Sequence, residues 1–176
     1  PFSPRADGIG GYDTATSFSM PIEELLNAYL PEFSGMLGAY WGRNGIHHHS
    51  DYFGVLVLML AAAAIGAQGK AIGLSRSFKW FMLGVLIVST LWAFGGFTPF
   101  YRLVYVIVPG TKFFRAPSTI MYLMAFAVAV FAAMGVERVL VGGVKRQWAI
   151  AWGVGALVIA LLSVSGAFTN LGSSIA

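Results

Sequence analysis

Three groups of residues in this chain could do chemistry, and each has a plainer alternative. His47, His48 and His49 are three adjacent imidazoles. They could ligate a metal, or one could be an axial ligand to a porphyrin-like pigment at a membrane edge. Adjacent residues do not share a helix face, however, and only Asp51 offers a carboxylate nearby. A solvated loop or an interfacial partner contact accounts for the run, and no metal or other cofactor is expected. Arg102, Lys112 and Arg115 flank a short apolar stretch. Arginine forks match phosphate oxygens, so these cations could hold a lipid phosphate or pyrophosphate. Snorkelling to head groups is the alternative. Arg115 is the better candidate, because Pro117 fixes the backbone just after it. The third group is acidic. Metal-assisted sugar transfer needs a carboxylate held near the membrane surface. Glu23 and Glu24 are accounted for by a helix start, Glu32 and Asp51 stand alone, and Glu137 adjoins Arg138. No catalytic residue is expected.

The elements that would position these groups follow from composition. Hydrophobic residues make up 57% of the 176 residues and charged ones 10%, against roughly 25% charged in a soluble domain. There are too few polar residues to coat a soluble globule of this size. A disordered chain and a nucleic-acid module are excluded with it. The net charge of +4 comes from cations spread between apolar blocks, as in membrane proteins. With no cysteine, a disulfide framework and a cysteine zinc site are impossible. The chain starts without Met or a signal-peptide pattern, which reads as a processed chain or part of a longer one.

A helix needs about 20 apolar residues to cross hydrocarbon. Uncharged stretches at 52–69, 80–101, 116–136 and 147–176 predict four transmembrane helices near 52–68, 79–96, 118–136 and 148–167. The stretch 103–111 is too short to cross. With Pro99 near its start and Pro109 near its end, it suits an interfacial or re-entrant helix. Lys70, Arg76 and Lys79 in one loop, and Arg138, Lys145 and Arg146 in another, put those loops in the cytoplasm and both termini outside. Residues 1–51 then form an outer segment and 169–176 an outer tail. After Ser19, a candidate N-cap, Ile22, Leu25, Leu26, Tyr29 and Leu30 repeat at helical spacing until Pro31. This predicts an amphipathic helix near 20–30, lying on the outer membrane surface or on the neighbouring spans.

Small residues at four-residue spacing let membrane helices approach closely. Ala125, Ala129 and Ala133 do this on the third span, and Ala151 and Gly155 on the fourth. Packing inside the chain is their first expected use and partner docking the second. Trp80, Trp92, Trp148 and Trp152 sit near span ends, as aromatic belts do.

With the segments placed, a resemblance emerges in the runs at 19–26 (SMPIEELL), 30–35 (LPEFSG), 40–44 (YWGRN), 51–55 (DYFGV), 94–102 (FGGFTPFYR), 109–118 (PGTKFFRAPS) and 135–138 (GVER). This ordered series over about 19–140 resembles the YfhO family of bacterial multi-pass membrane proteins. The resemblance implies a longer chain built like the glycosyltransferases that use lipid-linked sugars, whose catalytic acid lies in a first outer loop near the N-terminus. This chain looks like a middle section without that loop. Together these readings predict an all-α membrane protein of the bacterial cytoplasmic (inner) membrane. Its function is then that of a non-catalytic accessory subunit of a larger assembly, such as a respiratory or photosynthetic one. The alternative is part of a YfhO-like glycosyltransferase. Membrane lipids and other integral membrane proteins are the expected partners, and nucleic acid is not.

Overall fold

Prolines and glycines set most of the element boundaries. The computed structural model describes residues 10–35, 40–44, 51–65 and 75–165, and every regular element among them is helical. The α-helices are α1 (Tyr12–Ala15), α2 (Val55–Ile65), α3 (Arg76–Ala93), α4 (Phe100–Ile107), α5 (Met121–Leu140) and α6 (Arg146–Val164). Ser75 caps α3, its hydroxyl accepting a 3.2 Å bond from the Phe78 N–H. Pro99 stands at the N-cap of α4, and Val108, extended ahead of Pro109, ends it. Pro117 opens a 3-10 turn, Pro117–Ile120, that leads into α5. At the far end Gly142 takes φ +70°. Its N–H bonds Val139 O at 3.0 Å and that of Gly143 bonds Arg138 O at 2.9 Å, which closes α5 as a Schellman motif.

α5 is the centre of the bundle, with α2 on one side and α3 on another. Its buried face carries Met121, Met124, Ala127, Val128, Phe131, Ala132, Met134 and Gly135. Phe131, fully buried, packs with Ala61, Ala64 and Met82. The approach of α2 is so close that a Cβ on Gly135 would collide with the backbone carbonyl of Leu60. Two cations close one end of the bundle with three hydrogen bonds. Arg138 Nη1 donates to Ala63 O at 2.7 Å, its Nε to Gly143 O at 2.9 Å, and Lys79 Nζ to Ile65 O at 2.8 Å. The bonds to Ala63 O and Ile65 O satisfy carbonyls at the described end of α2, where cations also suit the helix dipole. α2 therefore runs parallel to α5 and antiparallel to α3. The opposite end is covered by residues 10–35 and 40–44, whose Met20 packs against Ala93, Phe94, Met121 and Met124.

The fold is thus all-α, and the helices fall near the predicted segments with shifted ends. One helical stretch, the 24 residues Pro117–Leu140, is long and apolar enough to cross a membrane, at about 36 Å. It runs past Glu137, where the charge pattern stops the prediction, because Arg138 folds back onto α2 rather than leaving the helix. The described part of α2 has 11 residues, α3 has 18 and α6 has 19. A short helix does form there, as α4, starting at Phe100, a turn earlier than the predicted 103–111 stretch. Lys70 and His47, His48 and His49 lie outside the described residues.

Two expectations are corrected. Ala129 and Ala133 are exposed and Ala125 half-buried, so this stripe does not pack inside the chain. Ala151 is exposed, and a Cβ on Gly155 would meet nothing within 4 Å. The small residues that pack on α5 are Ala127, Ala132 and Gly135, one register round from the predicted stripe, and they are met by Ala61 and Ala64 of α2. The second correction concerns 20–30. The segment is a 3-10 helix, Ile22–Ala28, whose polar face rather than its apolar face packs on the chain. Glu24, Asn27 and Ala28 point inward, whereas Ile22, Leu25 and Leu26 are 52%, 38% and 46% exposed. Ser19 is no cap for this turn, since Pro21 stands at the N-cap and no side chain bonds there.

Candidate functional site

The covered end of the bundle holds two groups of side chains that could do chemistry. The first is built where the chain turns from α4 back into α5. Gly110 at φ +94° allows the turn after Pro109, and a short 3-10 element, Thr111–Phe113, follows. Ala116 takes φ +68°, a left-handed conformation that a non-glycine residue adopts only when its surroundings hold it. The surroundings here are Ser17 and Phe18. Ala116 N–H donates to Ser17 O at 3.0 Å, and Ser118 Oγ to Phe18 O at 2.7 Å. Phe18 is itself left-handed at φ +64°. Ser19, next along, accepts a 2.9 Å bond from Gly96 N–H, and Met20 N–H bonds Ala93 O at 2.9 Å. Ser17–Met20 thus threads between the end of α3 and the start of α5. Gly95 permits that passage, because a Cβ there would strike Ser19 and Pro117.

Beside this junction opens a cleft of about 330 Å³, lined chiefly by Trp92, Tyr101, Phe114, Arg115, Ile120 and Tyr122. The structure brings all three predicted cations to this region, and each lies over an aromatic ring. The Arg115 guanidinium is 5.4 Å from the Phe18 ring centre, Arg102 is 5.9 Å from Tyr12, and Lys112 is 5.8 Å from Tyr105. Only Arg115 lines the cleft. Among the described residues none of the three has a carboxylate partner, and positions 52–136 contain no Asp or Glu.

The second group is a buried polar cluster that the sequence reading missed. Glu24 is 1% exposed. Its Oε1 accepts a hydrogen bond from the Tyr40 hydroxyl, and that hydroxyl in turn accepts Asn44 N–H at 2.7 Å. Asn27 and Ser34, both buried, pair reciprocally. Asn27 Nδ2 donates to Ser34 Oγ at 2.8 Å, and Ser34 N–H donates to Asn27 Oδ1 at 3.0 Å. On the rim Arg43 grips Glu23 with Nε and Nη2 at 2.8 and 2.9 Å, its guanidinium 4.8 Å from the Phe97 ring. Burial pushes the Glu24 carboxyl up to about 7, helped by the charges of Asp51 and Glu23 and opposed by Tyr40 and Arg43. Burial and the Glu24 bond likewise push the Tyr40 phenol up.

Glu24 does stand in a first turn, as expected, but it is buried there, and Asp51, 8% exposed, is not isolated. Helical spacing places Glu24, Asn27 and Ala28 together on one face as readily as it places Ile22, Leu25 and Leu26 on the other. The sequence reading places this helix on the membrane surface or on the neighbouring spans and assigns the polar face no partners. Tyr40 and Asn44, after a second turn, were the signal that the polar face had partners. Among the described residues no cluster of His, Asp and Glu could hold a metal ion. Chemically, the cleft offers aromatic walls with one arginine, and the cluster offers a carboxyl able to gain or lose a proton near neutral pH.

No family model, curated protein or solved structure matches the chain.

Proposed function

We propose that the chain is a multi-pass membrane protein serving as a non-catalytic accessory subunit of a larger membrane assembly. The observation that carries this reading is α6. It is apolar around its circumference, and none of its described side chains is buried. Ile150, Val154, Leu157, Val158, Leu161 and Leu162 are all exposed. In water each would forgo the roughly 1.5–3 kcal/mol that burying a large aliphatic side chain brings. Such a helix belongs in hydrocarbon or against another protein. With α5 as one span, α2, α3 and α6 become the other three. The end carrying Arg76, Lys79, Arg138, Lys145 and Arg146 then faces the bacterial cytoplasm, and the N-terminal cap faces outward.

The second reading is a portion of a YfhO-like glycosyltransferase using lipid-linked sugars. Glu24 favours it, since a buried carboxyl at the outer end that can take up a proton near neutral pH is what acceptor activation needs. Isolation from native membrane in mild detergent separates the two. The accessory reading expects the chain in a defined complex, with no turnover of a polyprenyl-phosphate sugar. A lone monomer that performs the transfer overturns it. Topology has its own test in this cysteine-free chain. An Arg76→Cys variant should resist an impermeant thiol reagent added from outside, and labelling from outside inverts the orientation.

A further inference from the structure

We propose that the cleft beside Arg115 holds an acidic phospholipid, with its phosphate on the guanidinium and the start of its acyl chains along the aromatic wall. The proposal rests on the membrane reading and adds a bound ligand to it.

Charge is the first argument. Arg115 stands at a cleft of about 330 Å³, within the usual range for small-molecule sites. Among the described residues its side chain donates no hydrogen bond and lies over the Phe18 ring. A ring contact holds the group in place and leaves its N–H fork to an oxygen acceptor. Because positions 52–136 contain no acid, this stretch of the chain supplies no anion. Arg102 and Lys112, on neighbouring turns, add to the positive field and likewise meet rings rather than carboxylates.

The surroundings choose between sources of that anion. Leu103, Val106 and Ile107 on the outer face of α4 are 57%, 78% and 65% exposed. Phe113 and Phe114, beside Lys112 and Arg115, are 45% and 67% exposed. A free phosphate ion would use the cations and leave this apolar belt in water. A lipid uses both, with its phosphate at the level of the arginines and its tails against α4. The wall is also built to hold its shape. Two left-handed residues, Phe18 and Ala116, are locked against each other there by the Ser118–Phe18 and Ala116–Ser17 bonds.

The test uses the full chain purified in mild detergent from membranes containing phosphatidylglycerol, with retained lipid counted by native mass spectrometry. Phosphatidylglycerol should be retained in preference to phosphatidylcholine. Arg115→Gln should cut that preference roughly tenfold, the loss expected for one charge-assisted contact, whereas Arg76→Gln at the opposite end should not. Equal retention in Arg115→Gln overturns the proposal. So does displacement of the lipid by millimolar inorganic phosphate, which would assign the site to a free anion. A second measurement needs no variant. A diazirine-bearing phosphatidylglycerol should label a peptide covering 108–122, and labelling confined to other segments also overturns the proposal. Alkaline carbonate extraction of the wild-type chain separates the two levels. Release from the membrane sinks the membrane reading itself, whereas retention with the wrong labelling sinks only the lipid site.

Discussion

The bundle and its cap are held by opposite chemistries. Around α5 the contacts are apolar and close, with Phe131, Ala132 and Gly135 against Ala61, Ala64 and the Leu60 backbone. In the cap the buried side chains include Glu24, Asn27, Ser34 and Asn44, joined by side-chain hydrogen bonds, while Ile22, Leu25 and Leu26 face outward. The difference is what two solvents would demand. Helices in lipid gain nothing from hiding leucine, so they associate through fit and keep small residues where backbones meet. A segment over the membrane surface can turn leucine towards lipid and must then satisfy its polar groups internally. The two halves should therefore fail differently when disturbed.

The largest effect is expected in the bundle. Gly135→Leu places a side chain where the Leu60 carbonyl already sits, and neither backbone can yield without parting α2 from α5. Overpacking of this kind costs about 3 kcal/mol or more. Thermal unfolding in detergent should fall accordingly, and an unchanged midpoint would show that the helices cross elsewhere.

The cap should respond to pH and the bundle should not. The Glu24 carboxyl is raised from the ordinary 4.5 to about 7 in the folded chain, chiefly by burial. The folded state therefore holds the proton more tightly than the unfolded state. This contribution is fully present below about 4.5 and is lost as pH rises towards 7. The swing is on the order of 2–3 kcal/mol. Hydrogen exchange at the Met20 and Asn44 amides, corrected for intrinsic rates, should show the cap loosening over that window. Glu24→Gln should flatten the dependence, and a persisting slope in that variant would assign it to another group.

At the junction of bundle and basic end the expected effect is smaller. Arg138→Gln removes charged donors from Ala63 O and Gly143 O. Partial exposure lets water replace them in part, so the cost should be about 1 kcal/mol. Arg138→Lys should recover some of it, because a lysine can still reach one carbonyl. If neither variant shifts unfolding, α2 does not depend on that closure.

How much of this was legible depended on the kind of signal. Charge spacing located the helices, because long uncharged runs have few alternative uses, and Pro99 and Pro109 bracketed α4. Arg102, Lys112 and Arg115 were readable as a group for the same reason. The cleft itself was not, since it depends on Phe18 and Ala116 adopting left-handed backbones that no residue type announces. Glu24 was misread because an acid in a first turn has a local explanation, and Tyr40, sixteen positions on, supplies the one that holds. The alanine stripes show the weakness of spacing alone. Ala125, Ala129 and Ala133 repeat at four, but so do Ala127 and Phe131, and only contact geometry tells which row meets α2.

That last distinction yields the smallest predicted effect on the fold and the sharpest contrast with Gly135. Ala129 is exposed on α5, in an outward row with Tyr122, Phe126, Ala133, Val136 and Leu140. Ala129→Leu should therefore leave unfolding within about 0.5 kcal/mol of wild type, as surface changes do. The larger side chain does roughen a face that a neighbouring membrane helix could approach closely only while it stays small. If a partner docks there, the size of the detergent-extracted assembly should drop while the unfolding midpoint stays put. If both stay unchanged, the row faces only lipid, and α6 is left as the docking surface. If instead the midpoint drops as it does for Gly135→Leu, the alanine row packs inside the chain and the described face of α5 is wrong.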